Sequence, residues 1–253
     1  MPPLCPPSRR ERLFLATGAK TTIPLRRGSL ALWRWGEGPP VLLVHGWGGH
    51  SGRLAAFVAP LLARGCSAVA FDAPGHGDSE GPGGTLFEFA EAIRAVCARE
   101  GRILGIVGHS LGASAAALAI QDGVRAERAV FLAPPASLET YLDRFARCVG
   151  MGRLGRADLK RRIERRYGVP CDRVRAAATA GSRRVPLLIF HDARDARVPA
   201  RDGVAFTQAW PKARLVLTRG LGHHRILRDP RVVRRAVAFL AAAVPSPASA
   251  AGR

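Results

Sequence analysis

No apolar run in the 253 residues approaches the roughly 18 needed to span a bilayer, so no membrane-crossing helix is expected. The first ten residues lack the apolar core of a secretory leader, and none is expected. Cysteine is sparse. Cys5, Cys66, Cys97, Cys148 and Cys171 are scattered without metal-ligand spacing, and an odd count does not complete a disulfide framework. A reduced, cytoplasmic setting fits that usage. The glycine-rich stretches lack the Lys-Ser/Thr of a phosphate loop, which argues against nucleotide binding. None of the seven histidines has the paired spacing with a carboxylate that a metal site would need. Acidic residues are scarce, 19 against 39 lysines and arginines, for a formal net charge of +20. Such a balance favours nucleic acid or anionic membranes as partners. The arginines are spread through the chain, however, and no nucleic-acid motif accompanies them, so nucleic acid is not expected.

What is present suits one large α/β domain: the length allows a full core, and 47% of residues are hydrophobic. Residues 1–10 are rich in proline, 245–253 in proline, serine and alanine, and both read as disordered tails. Strands are predicted at 12–16, 29–35, 41–44, 68–71, 103–107, 129–132, 186–190 and 214–218. Helical spacing occurs at 53–64, 86–99, 113–119, 201–210 and 230–243. Thr85 and Glu88 form a capping-box pattern at the start of the second of these helices. The alternation breaks at 136–184, where short helical patterns carry many arginines. Strands alternating with helices imply a mostly parallel central sheet covered on both faces. Its functional loops lie beyond the carboxyl ends of the strands. His45-Gly46, Asp72, Ser110, Asp195 and His223 each follow a predicted strand, so they should converge on one edge.

The most informative stretch is 102–119. An apolar run turns through Gly108-His109-Ser110-Leu111-Gly112 into the helix-forming Ala113-Ser114-Ala115-Ala116-Ala117. A Gly-x-Ser-x-Gly motif carries meaning in that strand–turn–helix context. A serine hydroxyl is a poor nucleophile at neutral pH; it needs a base, and the base an orienting acid. The acid candidates lie in His191-Asp192-Ala193-Arg194-Asp195-Ala196-Arg197-Val198-Pro199. The base candidate lies in Gly220-Leu221-Gly222-His223-His224. The order serine, aspartate, histidine is that of the α/β-hydrolases.

Val44-His45-Gly46-Trp47, Asp72-x-Pro74-Gly75-His76-Gly77-x-Ser79, the Ser110 turn, Asp195-x-x-Val198-Pro199 and Gly222-His223 together resemble the α/β-hydrolase superfamily, in its esterase/lipase-like serine branch. The resemblance covers roughly residues 30–240. It implies a mostly parallel sheet with helices on both faces and a small helical cap at 136–184 over the serine. It also implies Ser110 as nucleophile, His223 as base, Asp195 as acid, and the backbone N–H groups of Trp47 and Leu111 as oxyanion donors. No cofactor or metal is implied, and the partner is a small acyl substrate. The family's usual glycine after the strand-end histidine is Asp192 here. That leaves Asp192 as an alternative acid; it is read as a solvated or turn residue, because Asp195 has the family's spacing to Val198-Pro199. His109 is expected to pack behind the turn, His45 and His76 to brace loops, and His50 and His191 to be structural or exposed. Ester cleavage is the expected activity. Thioesterase, acyltransferase and peptidase chemistry on the same triad, and non-catalytic ligand binding on the same fold, are the alternatives. The cap arginines read as a solvated outer face or as an entrance that draws in anionic substrates.

Overall fold

The computed structural model describes residues 5–81, 84–168, 170–171 and 184–243. Its frame is one eight-stranded sheet in the order β1-β2-β4-β3-β5-β6-β7-β8. The strands are β1 (Ala19–Pro24), β2 (Ser29–Trp35), β3 (Pro40–Val44), β4 (Ser67–Phe71), β5 (Ile103–His109), β6 (Ala126–Leu132), β7 (Leu187–Asp192) and β8 (Ala213–Thr218). From β4 to β8 every neighbouring pair is parallel, while β1 and β2 add an antiparallel margin. This is the mostly parallel sheet that the alternation predicted. Strands β3, β4, β5 and β7 are buried at every position, as continuous apolar runs covered on both faces must be.

Successive side chains divide between two cores because a strand alternates its faces. Leu42, Val69, Ile106, Phe131 and Ile189 pack under α3 (Leu86–Glu100), α4 (Leu111–Gln121) and α7 (Ala200–Ala209). Leu43, Val107, Val130 and Phe190 pack under a 3-10 segment (Ser51–Phe57), α2 (Val58–Leu62) and α9 (Pro230–Ala241). The run read as one helix over 53–64 is thus a 3-10 turn continued by a short α-helix. Each fully buried Phe or Leu contributes roughly 1.5–3 kcal/mol. The capping box at Thr85 and Glu88 forms as predicted.

The N-terminal region differs from the prediction. Residues 12–15 belong to a helix, α1 (Arg9–Leu15), which Ala16 caps, and the hairpin partner of β2 is 19–24. The reason is local. Ser8 and Glu11 satisfy each other's backbone N–H groups in a capping box, which nucleates a helix through a short apolar run that by itself suits a strand as well. Leu15 is then buried against the second core. The disorder read for 1–10 therefore does not extend over 5–10: Arg9 and Arg10 are helical, and the Cys5 N–H donates to Gly48 O at 3.2 Å. Residues 245–253 lie outside the described residues.

Between β6 and β7 the chain forms α5 (Leu138–Cys148) and α6 (Arg153–Tyr167). Leu138, Leu142 and Ala146 recur every four residues on the buried face of α5. No residue of α6 is buried. It is held by Tyr167 stacked on Phe87, with centroids 4.8 Å apart, and by Lys160 and Arg156 paired with Glu139 and Asp143 of α5. Residues 172–183 of the predicted cap lie outside the described residues. Among the described residues no helix is long and apolar enough to cross a membrane.

Candidate active site

Parallel pairing sets the site. Val44 is in register with Gly108, His109 with Leu132, Leu132 with Phe190 and Asp192 with Thr218, so the loops after these strands open at one edge.

Ser110 sits between β5 and α4 with φ 50° and ψ −124°, a conformation that costs a non-glycine residue of order 1–3 kcal/mol. The surrounding structure enforces it. The Ser110 N–H donates to Leu132 O at 2.9 Å. A Cβ on Gly108 would lie 2.6 Å from Ala113 Cα, and one on Gly112 would lie 2.2 Å from His45 O. Only glycine lets β5, α4 and the end of β3 pass this closely. Helix α4 is buried from Leu111 to Ile120, so the turn is backed by core on every side.

Asp195 lies in the loop after β7. Its Oδ1 accepts the N–H groups of Arg197 at 2.7 Å and Val198 at 2.9 Å, and its Oδ2 accepts His223 Nδ1–H at 2.7 Å. Burial alone would push this carboxyl up. The His223 ring and the two amides outweigh burial and hold it below the usual carboxylate range. His223 follows Gly222 in α8 (Gly222–Arg225) and is buried, whereas His224 is exposed. His109 Nε2–H donates to His223 O at 2.9 Å, and burial drives the pKa of His109 well below the ordinary value, so this ring is a neutral strut. The Asp195 contact thus belongs to His223 and not to His224. Among the described residues the Ser110 hydroxyl makes no hydrogen bond, including none to His223; such contacts are often loose before substrate binds.

The Trp47 and Leu111 N–H groups donate to no acceptor among the described residues. Two histidines hold the Trp47 loop. His45 Nε2 accepts from the Ala73 N–H at 2.9 Å while its Nδ1–H donates to Gly46 O at 2.7 Å. His76 Nε2 accepts from the Gly48 N–H at 3.0 Å, and its Nδ1–H donates to Pro74 O at 3.0 Å. Each ring must be neutral to accept. Burial, with His76 nearby, lowers His45 to about 3, and burial lowers His76 too. Asp72 accepts the Ser51 N–H and hydroxyl at 2.7 Å and the Asp78 N–H at 2.8 Å, so it ties loops together. Helix α5 closes over this side: Phe145 meets Trp47 edge to face at 5.7 Å, and Arg144 donates to Arg197 O at 3.1 Å.

Of the two roles expected for Asp192, solvated or turn residue, the first does not hold, because its exposure is 0%; the second does, because its Oδ1 accepts the Arg194 N–H of the turn that follows β7. The loop after β8 roofs the end of β7, a tertiary arrangement that local sequence does not reveal. Its carboxylate makes no hydrogen bond to His223; it accepts from Arg194, Thr218 and Leu221. Of the two readings offered for His50 and His191, structural or exposed, burial favours the structural one. His191 Nε2–H donates to Val198 O at 2.9 Å, a role no motif signalled. No group of three or more His, Cys, Asp or Glu side chains among the described residues could hold a metal ion.

A strained serine between strand and helix, on a sheet of this order, defines the α/β-hydrolase class of folds. The model of the alpha/beta hydrolase family matches residues 41–236, and the chain belongs to that family. A "Serine hydrolase-like protein" of Danio rerio is 38% identical over 103 residues, which is 38% of this chain and 31% of that relative. The match thus spans under a third of the relative's length. Among solved structures, a bacterial membrane phospholipase A superposes with TM-score 0.72 at 19% identity, covering 94% of this chain and 90% of that one. An esterase from Pyrococcus furiosus superposes with TM-score 0.68 at 19% identity, covering 95% and 98%. At these identities the likeness is one of fold.

Proposed function

We propose that this chain is a serine hydrolase that cleaves a carboxylic ester, or a related acyl bond, through an acyl-enzyme. The observation that carries this reading is the buried Asp195–His223 hydrogen bond of 2.7 Å, at the same sheet edge as the strained Ser110 turn. Ser110 Oγ attacks the acyl carbon and its proton passes to His223 Nε2. Asp195 stays ionised, holds Nδ1–H and stabilises the imidazolium. The carbonyl oxygen, now an oxyanion, is met by the Trp47 and Leu111 N–H groups. Removal of one such donor typically costs about 2.7–4 kcal/mol in related chemistry. As the tetrahedral species collapses, the leaving alcohol takes the proton from His223. Water then enters, gives a proton to His223 and attacks the acyl carbon; as the second tetrahedral species collapses, the bond to Ser110 Oγ breaks, His223 returns the proton to that oxygen, and the acid leaves.

The thiols support the serine assignment. Burial pushes Cys97 up to about 12 and Cys171 up to about 11, so neither is an available nucleophile. Free thiols at Cys5, Cys66, Cys97 and Cys171 favour a reducing, cytoplasmic setting. Intact-mass measurement during turnover of p-nitrophenyl esters of graded chain length tests the reading. A transient adduct of acyl mass is expected, with a burst of nitrophenol equal to one site. Turnover with neither adduct nor burst at any chain length would argue for a different chemistry. Binding without turnover would favour a non-catalytic ligand-binding role.

A further inference from the structure

We propose that Asp192 is a positioning residue that latches the loop bearing His223 to the loop bearing Asp195. The inference rests on the serine-hydrolase reading for its consequence in catalysis, but not for the latch. The two candidate partners reach the site from different strands, β7 and β8, on separate loops. Those strands pair only as far as Asp192 and Thr218, where the ladder ends. Beyond Thr218 the chain runs through Gly220, at φ 81°, and Gly222, at φ 62°, directly into His223. Glycine in the left-handed region loses the most conformational freedom on folding, so this loop needs fixed points.

Asp192 supplies them. Oδ2 accepts the Thr218 hydroxyl at 3.0 Å and the Leu221 N–H at 2.9 Å, both on the His223 loop. Oδ1 accepts the Arg194 N–H at 3.0 Å, on the Asp195 loop. The main chain adds two links of the same kind: Ala193 N–H to Thr218 O at 2.8 Å, and Asp195 N–H to Asp192 O at 3.1 Å. A carboxylate buried to this extent is expensive unless its lone pairs are used, and here donors from both loops use them. Burial acts to raise its pKa, but the amides and the Thr218 hydroxyl prevail and keep the group ionised. Asp192 makes no hydrogen bond to His223, whose Nδ1–H is taken by Asp195, so Asp195 and not Asp192 partners the ring in this arrangement. It acts instead on where His223 Nδ1 finds Asp195. A misplacement near 1 Å in such a site can cost about 100-fold in rate.

The test uses the full chain with two variants and two readouts. Asp192→Ala removes both arms. Asp192→Asn keeps an oxygen for Thr218 and Leu221 and loses only the Arg194 arm and the charge. Amide hydrogen exchange over 218–224 reads the latch directly, whatever the chemistry. The rate of fluorophosphonate labelling at Ser110 reads its effect on His223. In Asp192→Ala, exchange over 218–224 should quicken by about tenfold or more, with the core strands unchanged. Labelling should slow by about 10- to 100-fold. Asp192→Asn should recover most of both. Unchanged exchange in Asp192→Ala overturns the latch. Slowed labelling with unchanged exchange, equal in the Asn and Ala variants, would make Asp192 an electrostatic participant and also overturns it. If the wild-type chain is not labelled at Ser110 while Asp192→Ala still frees 218–224, the latch stands and the serine-hydrolase reading fails. Should Asp192→Ala unfold, Thr218→Val, which removes one arm, carries the same two readouts.

Discussion

Gly46 is packed so closely on Ser110 that a Cβ added to it would lie 3.1 Å from Ser110 Cβ and 3.0 Å from His109 Nδ1. The residue after Gly46 is Trp47, whose amide is the proposed second oxyanion donor. Gly46→Ala should therefore displace that amide from the serine rather than unfold the sheet. The expected result is a kcat lower by about 100-fold, the scale of losing one donor. KM and the thermal midpoint should change little. A large rise in KM with kcat preserved would place the Trp47 amide outside the chemistry.

The adjacent histidines should separate cleanly. His223→Ala should lose most of kcat, on the order of 10⁶-fold by comparison with other triads. His224→Ala, at an exposed position, should lose less than about threefold. Steady-state kinetics on one ester decide this, and comparable losses for the two would mean that the ring facing Asp195 changes during turnover.

Stability should fall on mild acidification. His45, His50, His76, His109 and His191 are all buried with pKa values lowered by burial, His45 to about 3. In the unfolded chain each titrates near 6.5. Between the two values the unfolded state binds more protons, so stability rises with pH and is lost as pH falls below about 6.5. Asp72, raised by burial, works in the opposite sense near the carboxylate range. Asp195, lowered, adds a further loss only below about pH 4. The urea midpoint should drop between pH 7.5 and pH 5, and His45→Gln should show a smaller drop over that interval from a lower start. A midpoint independent of pH across this range would contradict the neutral bracing histidines.

The arginines of α5 and α6 divide by geometry. Arg156, Arg161, Arg162 and Arg166 pair with carboxylates on the cap or on α3, while Arg144, 3.8 Å from Asp202, also donates to Arg197 O on the Asp195 loop. If these cations draw in anionic acyl substrates, salt should weaken the effect as the Debye length shrinks from about 10 Å at 0.1 M to about 3 Å at 1 M. kcat/KM for an anionic ester should fall with added salt, while that for a neutral ester of equal size should hardly change, and Arg144→Gln should flatten the difference. Equal salt responses would leave the arginines as a solvated face.

Much of this was legible because the decisive signals are local. Continuous apolar runs at 41–44, 68–71 and 103–107 announce buried parallel strands, and the glycines around Ser110 announce a turn with no room for a Cβ. The helix at 9–15 differs from the strand expected at 12–16 because a capping box at Ser8 and Glu11 nucleates a helix through a short apolar run that by itself suits either element. The burial of Asp192 is not legible in the sequence, and for His50 and His191 the choice between structural and exposed stays open there, because each depends on which loop lies over which strand end. Asp192 did carry one signal: a carboxylate where the family has glycine is expensive to bury without a purpose.

The most direct test of the central claim is fluorophosphonate labelling of the wild-type chain, with the modified peptide identified by mass spectrometry. The account predicts one adduct, on Ser110, and no adduct together with no ester turnover in a folded Ser110→Ala variant. An adduct on another residue, or full labelling and turnover by Ser110→Ala, would contradict it.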